Sequence, residues 1–280
     1  MPKSRKEGKH FMRSIVNVNS DWIFTKKKVE NLAKLPEGEK ISLPHSWNAI
    51  DGQDGGNDYF RGTGYYAKAF SKESLPAADE YYLEIRGANS SADVYLNGKR
   101  LAHHDGGYST WRVELTEHLA ADNVLFITVD NSPNEEVYPQ MADFTFYGGL
   151  YRDVNIICVN KNHFDLDFFG GEGVTVTPTV KGEDAELEIK HWHTAEGASV
   201  RYRVYNAEGE EIINHDSTYS VVNLKIEGVH LWNGRRDPYL YTLKATLVKD
   251  GVCCDEVTVR FGCRTFKIDP DRGFILNGEE

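Results

Sequence analysis

The sequence predicts an all-β protein, built as a jelly-roll β-sandwich followed by an immunoglobulin-like β-sandwich. Short runs of alternating apolar and polar residues recur along the 280 residues at intervals of about 10, a spacing typical of sandwiches and barrels. Turn-forming residues separate the runs, and the periodicity of amphipathic helices is nearly absent. Asn97-Gly98 and Asp250-Gly251 have the chemistry of two-residue hairpin turns, which indicates antiparallel pairing.

The first half of the chain contains five runs rich in β-branched and aromatic residues, which predict strands at 65–70, 81–86, 92–96, 109–115 and 124–129. Asn97-Gly98 joins the third run to a short strand at 99–103, because a type I′ turn needs positive φ at both central residues. The run 151–159 follows the Gly148-Gly149 break and is apolar enough for a central strand.

A polar joint at 160–162 precedes seven further runs, which predict strands at 163–169, 174–180, 185–193, 199–205, 221–226, 241–249 and 252–261. Seven strands in roughly 105 residues match an immunoglobulin-like sandwich by count and length. We therefore expect a disordered N-terminus at 1–11, a first sandwich at 12–160, a second at 161–268 and a tail at 269–280.

Composition narrows the class of protein. The apolar content of 40% supports real cores, and the net charge of −11 argues against nucleic acid or an anionic membrane as a partner. A basic N-terminus without a following apolar run is not a secretory signal, so a cytoplasmic location is expected. The four cysteines form no C-x-x-C pair, which favours reduced thiols over a zinc site. No metal and no cofactor are expected.

The glycine-rich loop DGQDGGNDYFRGTG at 51–64 is the first candidate binding site. Its carboxylates resemble a calcium loop, but the EF-hand spacing fails because no Glu stands at the twelfth position. Glycine lets the backbone and short polar side chains come close to a sugar. Asn57 and Asp58 are therefore candidate sugar contacts, and a purely structural loop is the alternative.

Asp143 is the second candidate, because it begins a loop rich in aromatic residues, Phe144, Phe146 and Tyr147. A carboxylate can accept hydrogen bonds from adjacent ring hydroxyls while aromatic faces pack on the C–H side of a sugar. The alternative is an aspartate that caps its own loop. The Gly148-Gly149 pair that follows is expected to allow a tight turn with no Cβ in the way.

Six sequence blocks, read in order, resemble glycoside hydrolase family 2, the β-galactosidases and β-glucuronidases. They are LPHSWNA at 43–49, the glycine-rich stretch at 51–66, ADVYLNGK with DGGY at 92–108, DFTFYGGLYRDV at 143–154, LWNGRRDPYLY at 231–241, and RFGCRTF with GFILNG at 260–278. His45 and Trp47, at the end of a strand bounded by proline, are expected to brace a loop rather than to contact a ligand. Within the family, the glycine-rich loop favours a β-galactosidase over a β-glucuronidase or β-mannosidase.

The resemblance also implies what each part does. In the family, the aspartate at the position of Asp143 reaches from the sandwich into the active-site pocket of a catalytic barrel, whereas Arg152 and Asp153 are expected to form a structural pair. The run at 273–278 is similar to the junction at which the barrel begins. Retaining glycosidases need two carboxylates about 5 Å apart, which in this family are barrel glutamates, and no pair in this chain replaces them.

The chain is thus expected to be the N-terminal, non-catalytic part of a retaining β-glycosidase. It should be inactive alone and should help to shape the pocket for a β-glycoside substrate. Two alternatives stay open. One is a free-standing carbohydrate-binding module, and the other is a structural piece that makes homo-oligomer contacts in the full enzyme.

Overall fold

The structure is a computed structural model that describes residues 12–49, 51, 59–139 and 141–280. The chain divides into two compact units. The N-terminal unit is Ser14–Val159, and the C-terminal unit is Asn160–Glu280, to which Arg13 also belongs.

The described residues of the N-terminal unit form ten strands in two antiparallel sheets. The strands are β1 (Ser14–Asn17), β2 (Trp22–Thr25), β3 (Glu39–Ile41), β4 (Thr63–Ser71), β5 (Glu80–Ile85), β6 (Ser91–Leu96), β7 (Lys99–Asp105), β8 (Trp111–Glu114), β9 (Asp122–Asp130) and β10 (Val154–Val159). One sheet has the order β1-β10-β5-β8 and the other β3-β2-β4-β9-β6-β7. Short 3₁₀ helices occur at Lys72–Ser74 and Thr116–His118.

The core of the N-terminal unit lies between these sheets. Leu83 and Ile85 of β5 meet Val94 of β6 and Ile127 of β9, and all four side chains are fully buried. Alternation explains the pattern, since every second residue of a strand faces the same side. Each such side chain contributes about 1.5 to 3 kcal/mol by leaving water.

A polar row crosses the opposite face of the four-stranded sheet. Asn17, Asn155, Glu84 and Arg112 are consecutive partners across β1, β10, β5 and β8. The Arg112 guanidinium lies 2.7 Å from the Glu84 carboxylate, and both side chains are buried. Burial alone would raise the pKa of Glu84, but hydrogen bonds from Arg86, Asn155 and Arg112 lower it overall.

The C-terminal unit contains seven strands in a second sandwich, followed by a separate hairpin. The strands are β11 (Val174–Lys181), β12 (Asp184–His191), β13 (Ser199–Tyr205), β14 (Glu211–Ser217), β15 (Val221–Ile226), β16 (Tyr241–Lys249) and β17 (Val252–Phe261). The sheets have the orders β11-β12-β15 and β14-β13-β16-β17. β18 (Phe266–Asp269) pairs with β19 (Gly273–Leu276). Leu187, Val200 and Leu243 lie in the fully buried core.

The prediction of two successive β-sandwiches is therefore confirmed, as are both hairpin turns. Asn97 and Gly98 have φ of 54° and 84° between β6 and β7, and Asp250 and Gly251 have 52° and 78° between β16 and β17. Four predicted strands, at 199–205, 221–226, 241–249 and 252–261, have the observed bounds. The four cysteines form no disulfide in the structure, and Cys253 is exposed whereas the other three are buried.

The predicted strand at 163–169 is wrong. Only one isolated bridge forms there, between Phe164 and His193. The Phe164 amide instead donates to the buried Asp255 carboxylate, at 2.8 Å, so it is withdrawn from any ladder. The sequence analysis did not predict strands β1, β2, β3, β14, β18 and β19, and β14 in particular has mostly exposed residues that hide its period. Among the described residues, no helix has the length and apolar content of a membrane span.

Candidate functional site

The candidate site lies in the loop between β9 and β10, where Gly148 and Gly149 press against the LPHSW segment. A Cβ on Gly148 would lie 2.0 Å from the Trp47 ring, and one on Gly149 would lie 2.4 Å from the His45 carbonyl oxygen. Real Cβ atoms do not approach other atoms so closely, and Gly149 also has a φ of 130°. These glycines thus have no Cβ in the way, as expected, but close packing on the LPHSW segment is the reason, and no turn is assigned at 148–149.

His45 and Trp47 pack against this loop and support it. The His45 amide donates to the Leu150 carbonyl at 2.7 Å, and its Nδ1 lies 2.8 Å from the Tyr66 hydroxyl. Burial lowers the pKa of His45, so the ring is neutral at physiological pH. The Trp47 ring is buried and stacks on Phe24, with 5.8 Å between ring centroids. Both residues have the structural role expected for them.

Two buried side-chain amides, Asn48 and Asn131, join three loops. The Asn48 carbonyl oxygen accepts hydrogen bonds from the Gly148 amide at 2.7 Å and from the Asn131 side chain at 3.2 Å. The Asn131 amide group also donates to the Phe146 carbonyl at 2.8 Å, and its oxygen accepts from the Gly62 amide at 2.9 Å. Both side chains are fully buried, so the aromatic loop is fixed to the scaffold.

The same amides also fix the ends of the glycine-rich loop. Asn48 donates to the Asp51 carboxylate and to the Phe60 carbonyl, and Asp51 accepts from the Phe60 amide at 3.0 Å. The Phe146 amide donates to the Tyr59 hydroxyl at 3.2 Å, which joins this loop to the aromatic loop. The predicted contacts Asn57 and Asp58 lie outside the described residues, between these two anchored ends.

Asp143 is exposed at the start of the aromatic loop. Among the residues that the structure describes, none forms a hydrogen bond or an ion pair with the Asp143 carboxylate. No loop-capping contact is therefore seen. The following Phe144 ring is half exposed and lies 5.3 Å from the Phe146 ring, between centroids. The loop thus presents an exposed carboxylate that is followed in the chain by partly exposed aromatic rings.

The expected pairing of Arg152 with Asp153 is wrong. Arg152 donates to the Tyr108 carbonyl at 2.8 Å, whereas Asp153 accepts from the Asn19 side chain at 2.7 Å and lies 3.9 Å from Arg86. Neighbouring residues of an extended chain point to opposite sides, which separates the two charges as the chain enters β10. Asp153 is still a structural residue, through other partners.

Sequence reasoning missed the asparagines that organise the site. Besides Asn48 and Asn131, the Asn89 side chain donates to the Tyr147 carbonyl at 2.6 Å, and its backbone pairs with Gly149. In the sequence, only their positions beside strand ends and motif residues could have indicated that they organise the site. Within the described part of the chain, no three His, Cys, Asp or Glu side chains are placed to hold a metal ion.

Comparisons with known proteins agree with this architecture. The sequence profile "Glycosyl hydrolase 2 galactose-binding domain-like" matches residues 61–166, in the N-terminal unit apart from its last residues. The profile "Glycosyl hydrolases family 2" matches residues 172–264, in the C-terminal unit. The two profiles follow one another in the order in which the two sandwiches were predicted.

Individual relatives have the names of glycosidases. A β-glucuronidase of Bacteroides fragilis is 30% identical over 96% of this chain and 40% of its own length, and the β-galactosidase BoGH2A of Bacteroides ovatus is 30% identical over 86% and 30%. The crystal structure of an FMN-binding β-glucuronidase from Facaelibacterium prausnitzii superposes with a TM-score of 0.87 and 37% identity, covering 96% of this chain and 42% of that one.

The chain therefore spans less than half the length of each of these three relatives. Its two sandwiches match consecutive domain profiles of one family, and the relatives align with nearly all of it. This chain belongs to glycoside hydrolase family 2.

Proposed function

We propose that this chain is the N-terminal, non-catalytic part of a retaining β-glycosidase, in which the sandwich at 12–160 contributes to the sugar pocket. The sandwich at 161–268 then supports a catalytic barrel that follows the segment 269–280. The exposed Asp143 carboxylate, at the start of a loop fixed by three buried or partly buried asparagines, is the observation that carries the proposal. Asn57 and Asp58 are proposed as further sugar contacts on the neighbouring loop.

A β-galactosidase is our first choice of activity, because the glycine-rich loop resembles that subgroup. A β-glucuronidase is the second candidate, since the B. fragilis relative and the F. prausnitzii structure have that name. Hydrolysis of 4-nitrophenyl β-D-galactoside and of the matching glucuronide by the longer protein decides between them. A higher kcat/KM on the glucuronide would replace the first choice with the second.

The Asp143→Asn change in the longer protein tests the role of this carboxylate. Loss of a charge-assisted hydrogen bond in a desolvated pocket costs about 1.5 to 3 kcal/mol, which lowers kcat/KM roughly tenfold to hundredfold. The melting temperature should stay within about one degree, because no described residue depends on this side chain. Full activity of Asp143→Asn, or activity lost only through unfolding, would remove Asp143 from the pocket.

Asp153→Asn is the matched control for this experiment. Its carboxylate is held by Asn19 and Arg86 rather than exposed to a ligand, so the change should lower stability and leave kcat/KM of the folded protein unchanged. The 280-residue chain alone should show no turnover, since both catalytic carboxylates of the family are on the barrel. Turnover that copurifies with the chain through successive columns would contradict this. A cytoplasmic location is proposed as well, and cell fractionation tests it.

A further inference from the structure

A cleft of about 230 Å³ lies beside Asp143 in the N-terminal unit. Its walls are five aromatic side chains, Tyr108, Phe144, Phe146, Tyr147 and Tyr151. Asn89 and Thr145 supply its polar edge. We call this site the aromatic cleft. Its walls come from the loop that follows Asp143 in the chain and from two further segments, at Asn89 and Tyr108.

The aromatic rings are held in place although they face water. Tyr108 is 59% exposed, Phe144 50% and Tyr147 42%. The backbone behind Phe146 and Tyr147 is fixed by hydrogen bonds from Asn131 and Asn89, and the Tyr151 hydroxyl donates to the Gly107 carbonyl. A site whose parts are ordered before binding loses less entropy when a ligand enters. Exposed but ordered ring faces are therefore suited to a planar apolar ligand.

Two guanidinium groups pack on rings that belong to this cleft. Arg61 lies over the Phe146 ring at 4.9 Å from its centroid, and Arg152 lies over the Tyr151 ring at 5.1 Å. Both are anchored, since Arg61 donates to the Asn131 carbonyl at 2.8 Å and Arg152 to the Tyr108 carbonyl at 2.8 Å. Cations attract the electron-rich face of an aromatic ring, so these two contacts help to hold Phe146 and Tyr151 in place.

We propose that the aromatic cleft binds the aromatic leaving group of an aryl β-glycoside, next to the sugar that Asp143 contacts. This inference rests on the proposed function and adds the class of aglycone to it. A sugar ring fits the cleft less well, because its hydroxyls would lose water against largely apolar walls with few partners. The volume of about 230 Å³ is also below the range of roughly 300 to 1,000 Å³ typical of larger ligands, so a single ring is the appropriate occupant.

Titration of the 280-residue protein, followed by amide NMR, tests this assignment directly. The ligands are phenol, phenyl β-D-galactoside and methyl β-D-galactoside at equal concentrations. Phenol and the phenyl glycoside should shift the amide signals of residues 144–147 and of Tyr108, and the methyl glycoside should leave them in place. Each ring contributes about twofold to tenfold in affinity, so Phe144→Ala and Tyr147→Ala should each weaken phenol binding by that factor.

Phe169→Ala and Tyr219→Ala are the matched controls, because they remove exposed aromatic rings, 92% and 77% exposed, from the other unit. Neither should change phenol binding. Two variants in the cleft keep the test valid if one of them unfolds, as circular dichroism would reveal. Equal binding of methyl and phenyl glycosides, or phenol shifts unchanged in both variants, would overturn the aglycone assignment. Neither result affects the Asp143→Asn experiment, which tests the proposed function by reaction rates.

Discussion

Two regions of the chain connect their strands in different ways. In the C-terminal unit, Asp250-Gly251 turns the chain between β16 and β17 with two left-handed residues and no side-chain support. In the N-terminal unit, the loops at 42–62 and 131–153 are long, and the buried amides of Asn48 and Asn131 hold them together. Burying an amide is costly unless every group is paired, so it is retained where an irregular loop must keep one conformation.

In the C-terminal unit, the buried polar groups include titratable histidines. His191 and His193 stack with 5.1 Å between ring centroids, and His191 Nδ1 contacts the Tyr202 hydroxyl. Burial, and secondarily the neighbouring His193, lowers the pKa of His191 to about 4. The difference between the units indicates that amides, which do not titrate, fix the candidate site, whereas histidines make the second sandwich sensitive to acid.

The largest effect is expected from Gly148→Ala, which breaks the support under the aromatic loop. The new Cβ would lie 2.0 Å from the Trp47 ring, in a buried region with no space to relax. The free energy of unfolding should fall by at least about 3 kcal/mol, measured by urea denaturation. Gly182→Ala is the control, because nothing lies within 4 Å of its Cβ and only its φ of 65° is unfavourable. That change should cost about 1 kcal/mol.

Asn131→Leu should cause the second largest loss of stability, because it removes the amide that joins the loops. It leaves the Gly62 amide and the Phe146 carbonyl, both partly buried, without their present partner. Each orphaned group costs about 1 to 3 kcal/mol, and we expect a total loss of about 2 to 3 kcal/mol in chemical denaturation. Asn223→Leu on the exposed face of β15 is the matched control and should change stability by less than about 0.5 kcal/mol. Equal losses in the two variants would contradict the role of the amide pair.

Acid should destabilise the C-terminal unit through His191. Its pKa is about 4 in the fold and 6.5 in the unfolded chain, so below pH 6.5 the unfolded state takes up the proton first. The stability contribution is therefore complete above pH 6.5 and falls by about 2 kcal/mol by pH 4.5. Hydrogen exchange of the β13 and β16 amides measures this loss. His191→Gln should flatten the acid slope, whereas His215→Gln at an exposed site should leave it unchanged.

The stability of the N-terminal unit should also depend on pH, but more weakly and in the opposite direction. His103 on β7 lies between two carboxylates, with Nε2 2.8 Å from Asp105 and Nδ1 2.9 Å from Asp93, which also binds Arg100. The hydrogen bond to Asp105 is the largest cause that raises the pKa of His103. This contribution is complete below the unfolded pKa of about 6.5 and is lost as pH rises through the raised value.

The contribution of His103 to stability should stay below about 1 kcal/mol, because its side chain is 42% exposed and water screens its charge pairs. Hydrogen exchange of β6 and β7 amides at pH 5.5 and pH 8 detects it. His103→Gln should remove the difference, and 1 M salt should reduce it. If His118→Gln removes it equally, the carboxylate pair is not the cause.

The sequence by itself determined the class of fold and much of its local geometry. Hairpin turns at Asn97-Gly98 and Asp250-Gly251 follow from the φ values that these residues tolerate, and strands such as β13 follow from the alternation of buried residues. The six ordered blocks were sufficient to identify the family, which the domain profiles confirm. These properties depend on neighbours within a few residues or on short motifs, so they are readable without the fold.

Only the tertiary structure decided which polar groups meet. Asn48 and Asn131 are 83 residues apart in the chain, and nothing local to either one indicates that they share a hydrogen bond. Arg152 and Asp153 are adjacent, yet each has partners elsewhere, and Phe164 leaves its expected strand because the distant Asp255 takes its amide. A buried polar group must find a partner wherever the packing brings one, so its pairing depends on the whole fold rather than on its sequence neighbours.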